Sequence, residues 1–119
     1  MDHQHDSQSP SAKIATSAVQ VLHDYTGRGP TKAKTTIAES VVTILLADTL
    51  TTGERTLVDH GHADHVLQVR HEYQVAMRDD LVGIVERELD RKVIAFMSQN
   101  HIDPDFAVEV FVLEPDDTV

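Results

Sequence analysis

The sequence predicts an α+β domain: two αββ units forming a four-stranded antiparallel sheet, with helices packed on one face. Three observations lead there. Apolar residues at helical spacing over 11–26, and again from 65 onward, each precede two short β-branched runs separated by a turn. No strand alternates with a helix in the βαβ manner, so a doubly wound nucleotide fold is not expected. The chain has 119 residues, 40% of them hydrophobic, which suits one domain with one core.

Each element has its own signal. Ser9 before Pro10 reads as a helix N-cap with proline in the first turn. Behind it Ile14, Ala18, Val21, Leu22 and Tyr25 share one face of a helix over 11–26, stopped by Gly27 and Gly29. "KAKTTI" (32–37) is a Thr-rich strand with a polar face. Glu39-Ser40 turns it into "VVTILLA" (41–47), an apolar interior strand. Thr51 and Glu54 form a capping box for a short helix that runs to about His60 and stops at Gly61. From His65, Val66, Val69, Tyr73, Met77, Leu81 and Ile84 step by three or four, with Val85 and Leu89 one row over. That is a long amphipathic helix, with Asp79-Asp80 as the place where it could kink or be re-capped. "KVIAFMSQ" (92–99) and "AVEVFVLE" (107–114) are strands around the turn "NHIDPD". The expected organisation is a polar disordered tail over 1–10, the single α+β domain over 11–115, and an acidic tail over 116–119.

Composition limits the function. Twenty acidic against ten basic residues give a net charge of −10, so no nucleic-acid partner is expected, since phosphate-backbone affinity comes from Lys and Arg. No run is long and apolar enough for direct membrane insertion. "MDHQHDSQSPS" lacks the basic and apolar regions of a secretory signal, so a cytoplasmic location is expected. Without cysteine there is no thiol nucleophile and no disulfide framework. The strand 107–114 is apolar on both sides, with Val108, Val110 and Val112 on one and Phe111 and Leu113 on the other. With helices for one face only, a homodimer is the expected cover for the second.

Three stretches resemble chemistry. "HGHADH" (60–65) spells the H-x-H-x-D-H zinc motif of metallo-β-lactamase-type hydrolases. Here it straddles a helix stop and a helix start, only His71 and His101 follow as histidines, and the chain is too short for that fold. We expect no metal site and no cofactor there. "GRGPTKAKT" (27–35) is glycine-rich and basic, but it runs from helix to strand, the reverse of a phosphate-cradling loop. It reads as a helix stop, or as an anion-contact patch of Arg28, Thr31, Lys32 and Lys34. "SQNHIDPD" (98–105) gathers Ser98, Asn100, His101, Asp103 and Asp105, as turn chemistry or as a ligand or partner contact. No catalytic residue is assigned.

"GRGPTKAKTTI", "LTTGERTLVDHG" and above all the stretch from Arg70 to Pro115, ending "RKVIAFMSQNHIDPDFAVEVFVLEP", resemble a bacterial family. It is the family named for the C component of the Na+-translocating membrane-potential-generating system. The resemblance covers about 11–115, while the histidines of "HGHADH" depart from the family pattern. It implies an accessory partner of a two-part membrane system linked to membrane potential and inorganic carbon uptake, and it brings no agreed catalytic residues. The expected function is therefore a small non-enzymatic accessory or regulatory protein, with membrane-system subunits as partners. The alternative is a small-ligand sensor or enzyme using the 27–34 and 98–105 loops.

Overall fold

The computed structural model describes residues 8–115. Residues 1–7 of the expected N-terminal tail, and all of the expected tail at 116–119, lie outside the described residues. The order is α1 (Pro10–Thr26), β1 (Lys32–Ala38), β2 (Val41–Ala47), α2 (Thr52–Asp59), α3 (Ala63–Leu89), β3 (Val93–His101) and β4 (Phe106–Leu113). The strands form one antiparallel sheet in the order β1-β2-β4-β3. The fold class is the one the sequence predicts, with the two hairpins joined through their second strands.

Helix ends follow from local chemistry. Ser9 Oγ accepts from the Ala12 amide, and Gly27 closes α1 at φ 82°, where a side chain would be strained. Thr51 and Glu54 cap α2 reciprocally. The helix α3 begins at Ala63, two residues earlier than its apolar stripe suggests, and runs unbroken past Asp79-Asp80 to Asp90 in the left-handed region. Both aspartates are exposed there, so no burial requirement interrupts the helix.

The core lies between sheet and helices. Ile14, Ala18 and Leu22 from α1 and Met77, Leu81, Ile84 and Val85 from α3 pack on Val42, Ile44 and Leu46 of β2 and Ala107, Phe111 and Leu113 of β4. Phe96 of β3 meets Phe111 with ring centroids 5.1 Å apart. Fully burying side chains of this size contributes roughly 1.5–3 kcal/mol each. The Tyr25 hydroxyl ties α1 to α3 by donating to Asp80 Oδ2 at 2.7 Å.

Among the described residues, no helix covers the other face of the sheet. Residues paired directly across antiparallel strands share a face. One row is therefore Lys34, Leu45, Val108 and Gln99, and the next is Thr36, Thr43, Val110 and Met97. Leu45 is 45% and Met97 52% exposed. A bulge between Val93 and Ala95 leaves Ile94 exposed beside them.

Candidate functional site

Two polar constellations are built where the sheet meets the helices. The first closes one sheet end, where β1 and β4 begin and β2 and β3 finish. Asp48, with φ 61°, is held in a conformation that side chains disfavour. Its carboxylate accepts from both Arg28 and Arg55. Arg55 also donates to Asp105 at 3.0 Å, and Asp105 accepts from Thr49 Oγ1 and the Leu50 amide, each at 2.9 Å. These charge-assisted bonds offset the cost of the left-handed residue.

The second constellation lies inside, beneath the N-terminal half of α3. Arg70, 3% exposed, donates to Glu54 Oε1 at 3.3 Å and to the Thr49 carbonyl at 3.4 Å. Glu54 serves twice, since the same oxygen accepts from the Thr51 amide in the capping box. Beyond Arg70 stands Glu109, 1% exposed, on the helix-facing side of β4 and directly opposite Ser98. Burial pushes its carboxyl up from 4.5 to about 7, while the nearby Ser98 hydroxyl and the Arg70 charge pull it down. Among the described residues, Glu109 Oε1, Ser98 Oγ, Asn100 Oδ1, Thr35 Oγ1 and Gln74 Nε2 are buried without a hydrogen-bond partner from the protein. Five such atoms in one small domain mark the region as unusual.

A cleft reaches this region from outside. His71, Gln74, Val75 and Arg78 of α3 and Phe96 and Ser98 of β3 line a cavity of about 220 Å3.

The structure does not gather the nine residues singled out in the sequence into one site. Arg28 and Asp105 come together through Asp48 and Arg55. Lys32 and Lys34 lie with Thr31, Leu45 and Phe106 around a cavity of about 500 Å3, and both lysines project from the bare side of β1. Ser98 and Asn100 face the helices instead. His101 donates through Nδ1 to the Pro104 carbonyl at 2.8 Å, closing its own turn. Asp103 lines a cavity of about 230 Å3 with Arg55, Ile102 and Asp59.

Sequence reasoning missed Asp48, Arg55, Arg70, Gln74 and Glu109, and saw Glu54 only as a helix cap. A signal existed for three of the five. Glu109 shares its strand parity with Ala107, Phe111 and Leu113, which places it in the core. Arg70 and Gln74 continue the i+4 row that starts at Val66.

The histidines of "HGHADH" fall on separate backbone features. His60 follows the last turn of α2, its Nδ1 donating to the Thr56 carbonyl at 2.8 Å; His62 is the N-cap residue of α3, and His65 lies in its first turn. Among the described residues, no three His, Asp or Glu side chains group as a metal site would require.

A family model described as the Na+-translocating membrane potential-generating system (MpsC) matches residues 7–115, nearly the whole chain. The chain belongs to that family. No curated protein and no solved structure matches it. Among the described residues no helix is long and apolar enough to cross a membrane.

Proposed function

We propose that the chain is a small accessory protein of a Na+-translocating membrane-potential-generating system and acts by protein contact through the bare face of its sheet. The observation that carries the reading is that face. Val41, Leu45, Met97 and Phe106 are all more than a third exposed. They surround the half-buried Val108, Val110 and Val112, a contiguous apolar patch of the kind that marks a contact site. The register places Lys32 and Lys34 on the same face, and no strand position on it carries a carboxylate. In free solution a second copy of the chain covers it, giving a homodimer, and a membrane-system subunit takes its place in the assembled system. The ligand-sensor alternative has less support, because Arg28 and Asp105 spend their charges on Asp48 and Arg55.

The test uses Leu45→Glu with Val110→Glu, which places two carboxylates on the bare face without touching the helix-side core. Sedimentation velocity at tens of micromolar should show a dimer for the parent and a folded monomer for the variant. Membrane vesicles from cells carrying the Na+ system should lose retention of the variant and not of the parent. A parent that is monomeric and is not retained would overturn the proposal.

A further inference from the structure

The cleft between α3 and β3 lies on the helix side of the sheet, away from the bare face, and its chemistry is different. Gln74 is 7% exposed, yet its Nε2 finds no partner within the protein, and Ser98 Oγ beside it has only the Glu109 carboxyl across the strand pair to face. Both side chains line the cleft. A buried amide left unpaired costs about 1–3 kcal/mol, so Gln74 awaits a group it can donate to. The mouth supplies two more donors. The Arg78 guanidinium has only its neighbour Asp79, at 3.3 Å and fully in solvent, as an ion-pair partner among the described residues. His71 lies one turn before Gln74 and Val75 on the same helix face. Between these donors the walls are apolar, formed by Phe96 and Val75.

We propose that this cleft binds a small carboxylate with a short apolar tail. The carboxylate accepts from Gln74 Nε2, Ser98 Oγ and the Arg78 guanidinium, and the tail lies along Phe96 and Val75. Donors at the base and mouth of a mostly apolar slot suit an acceptor-only head group on an apolar body. A cavity of about 220 Å3 limits the body to a few carbons. The remaining charge nearby is compatible with an anion. Arg70 and Glu54 neutralise each other behind the cleft, and Glu109, one strand behind Ser98, holds its proton up to about neutral pH. The inference does not rest on the docking reading, since the two faces can be tested apart.

The probe is sodium hexanoate at pH 6.5, titrated into the full chain and followed by amide chemical-shift mapping and calorimetry. Hexylamine and 1-hexanol serve as probes with the same tail and no carboxylate. Hexanoate should bind with a Kd of roughly 1 mM or tighter, shifting amides of residues 71–78 and 96–98, while the amine and the alcohol bind at least about tenfold more weakly. Arg78→Ala should weaken hexanoate about tenfold. Val75→Trp fills the mouth from an exposed position, so it should abolish binding without lowering the melting temperature. Absence of hexanoate binding to the parent, equal binding of all three probes, shifts confined to the bare sheet face, or unchanged binding in the folded Val75→Trp variant would each overturn the proposal.

Discussion

Replacing Glu109 with glutamine should stabilise the protein, and more so as the pH rises. The carboxyl sits 1% exposed under α3, and its ordinary value of 4.5 is raised to about 7, chiefly by burial. Below pH 4.5 it is protonated in both the folded and the unfolded chain and contributes nothing to pH dependence. Between 4.5 and 7 the unfolded chain has released the proton and the folded one keeps it. Folding then takes up a proton, and stability falls as pH rises. At ~1.4 kcal/mol per pH unit, the loss accumulates to roughly 3 kcal/mol by pH 7 and is constant above it. Glutamine has nearly the same shape, keeps a polar end toward Ser98 and does not titrate.

The difference between parent and Glu109→Gln therefore isolates this one carboxyl from every other titrating group. Urea unfolding of both proteins at half-unit steps from pH 4 to pH 8.5 should give a gap near zero, or slightly against the variant, at pH 4. It should widen to roughly 3 kcal/mol in the variant's favour by pH 7.5, or roughly 10 °C in melting temperature. A gap that stays flat from pH 4.5 to 7, or that widens toward acid, would refute the reasoning. It would mean that Arg70 holds Glu109 ionised in the fold.

Other expectations follow from single contacts. Arg70→Met leaves Glu54 and Glu109 without their shared cation and should cost about 3–5 kcal/mol in urea unfolding, more at pH 8 than at pH 6. Asp105→Ala removes the acceptor of Thr49, Leu50 and Arg55 and should cost about 2–3 kcal/mol, with fast amide exchange appearing first at Thr49 and Leu50. Asp90→Gly relieves a left-handed residue at φ 53° that closes α3 and should raise stability by about 0.5–1 kcal/mol, read from the same unfolding curves. Elemental analysis of tag-free protein should find less than stoichiometric zinc, and His62→Ala should not change it. One tightly held equivalent lost in that variant would make "HGHADH" a metal site after all.

Element types were legible because each is written in periodicity and caps. The strand β2 reads directly from its β-branched run, and α2 from Thr51 and Glu54. Boundaries were harder where pairing overrides local chemistry. The polar residues Asn100 and His101 read as turn, yet β3 continues through them because Ala107 and Phe106 of β4 remain in register opposite. The candidate sites were legible only in part. "SQNHIDPD" advertises polar groups in sequence, but Ser98 and Asn100 face inward while His101 faces out, since neighbouring strand residues alternate sides, and Asp103 lies in the turn beyond. The inner constellation draws on residues from 54 to 109, and no local window shows that Arg70 and Glu109 approach each other. Within the apolar strand 107–114, only the parity that Glu109 shares with Ala107, Phe111 and Leu113 places it in the core.

The distribution of charge is a second ground for the proposed contact through the bare sheet face. Half of the excess of ten negative charges is carried by the helices and their ends, where Asp24, Asp59, Asp64, Glu72, Asp79 and Asp80 are all exposed. Two copies approaching helix to helix would bring those carboxylates together, and repulsion between them acts over about 8 Å at physiological salt. On the bare sheet face the strands present Lys32, Lys34 and an apolar centre, with no carboxylate among them. Approach through that side meets no comparable repulsion and buries Leu45, Met97 and Phe106. In the proposed dimer the acidic surface would work against other orientations as much as the apolar patch works for this one. Raising the salt concentration should weaken that orientational selection while leaving the sheet-to-sheet contact itself, which is largely apolar, nearly unchanged in affinity.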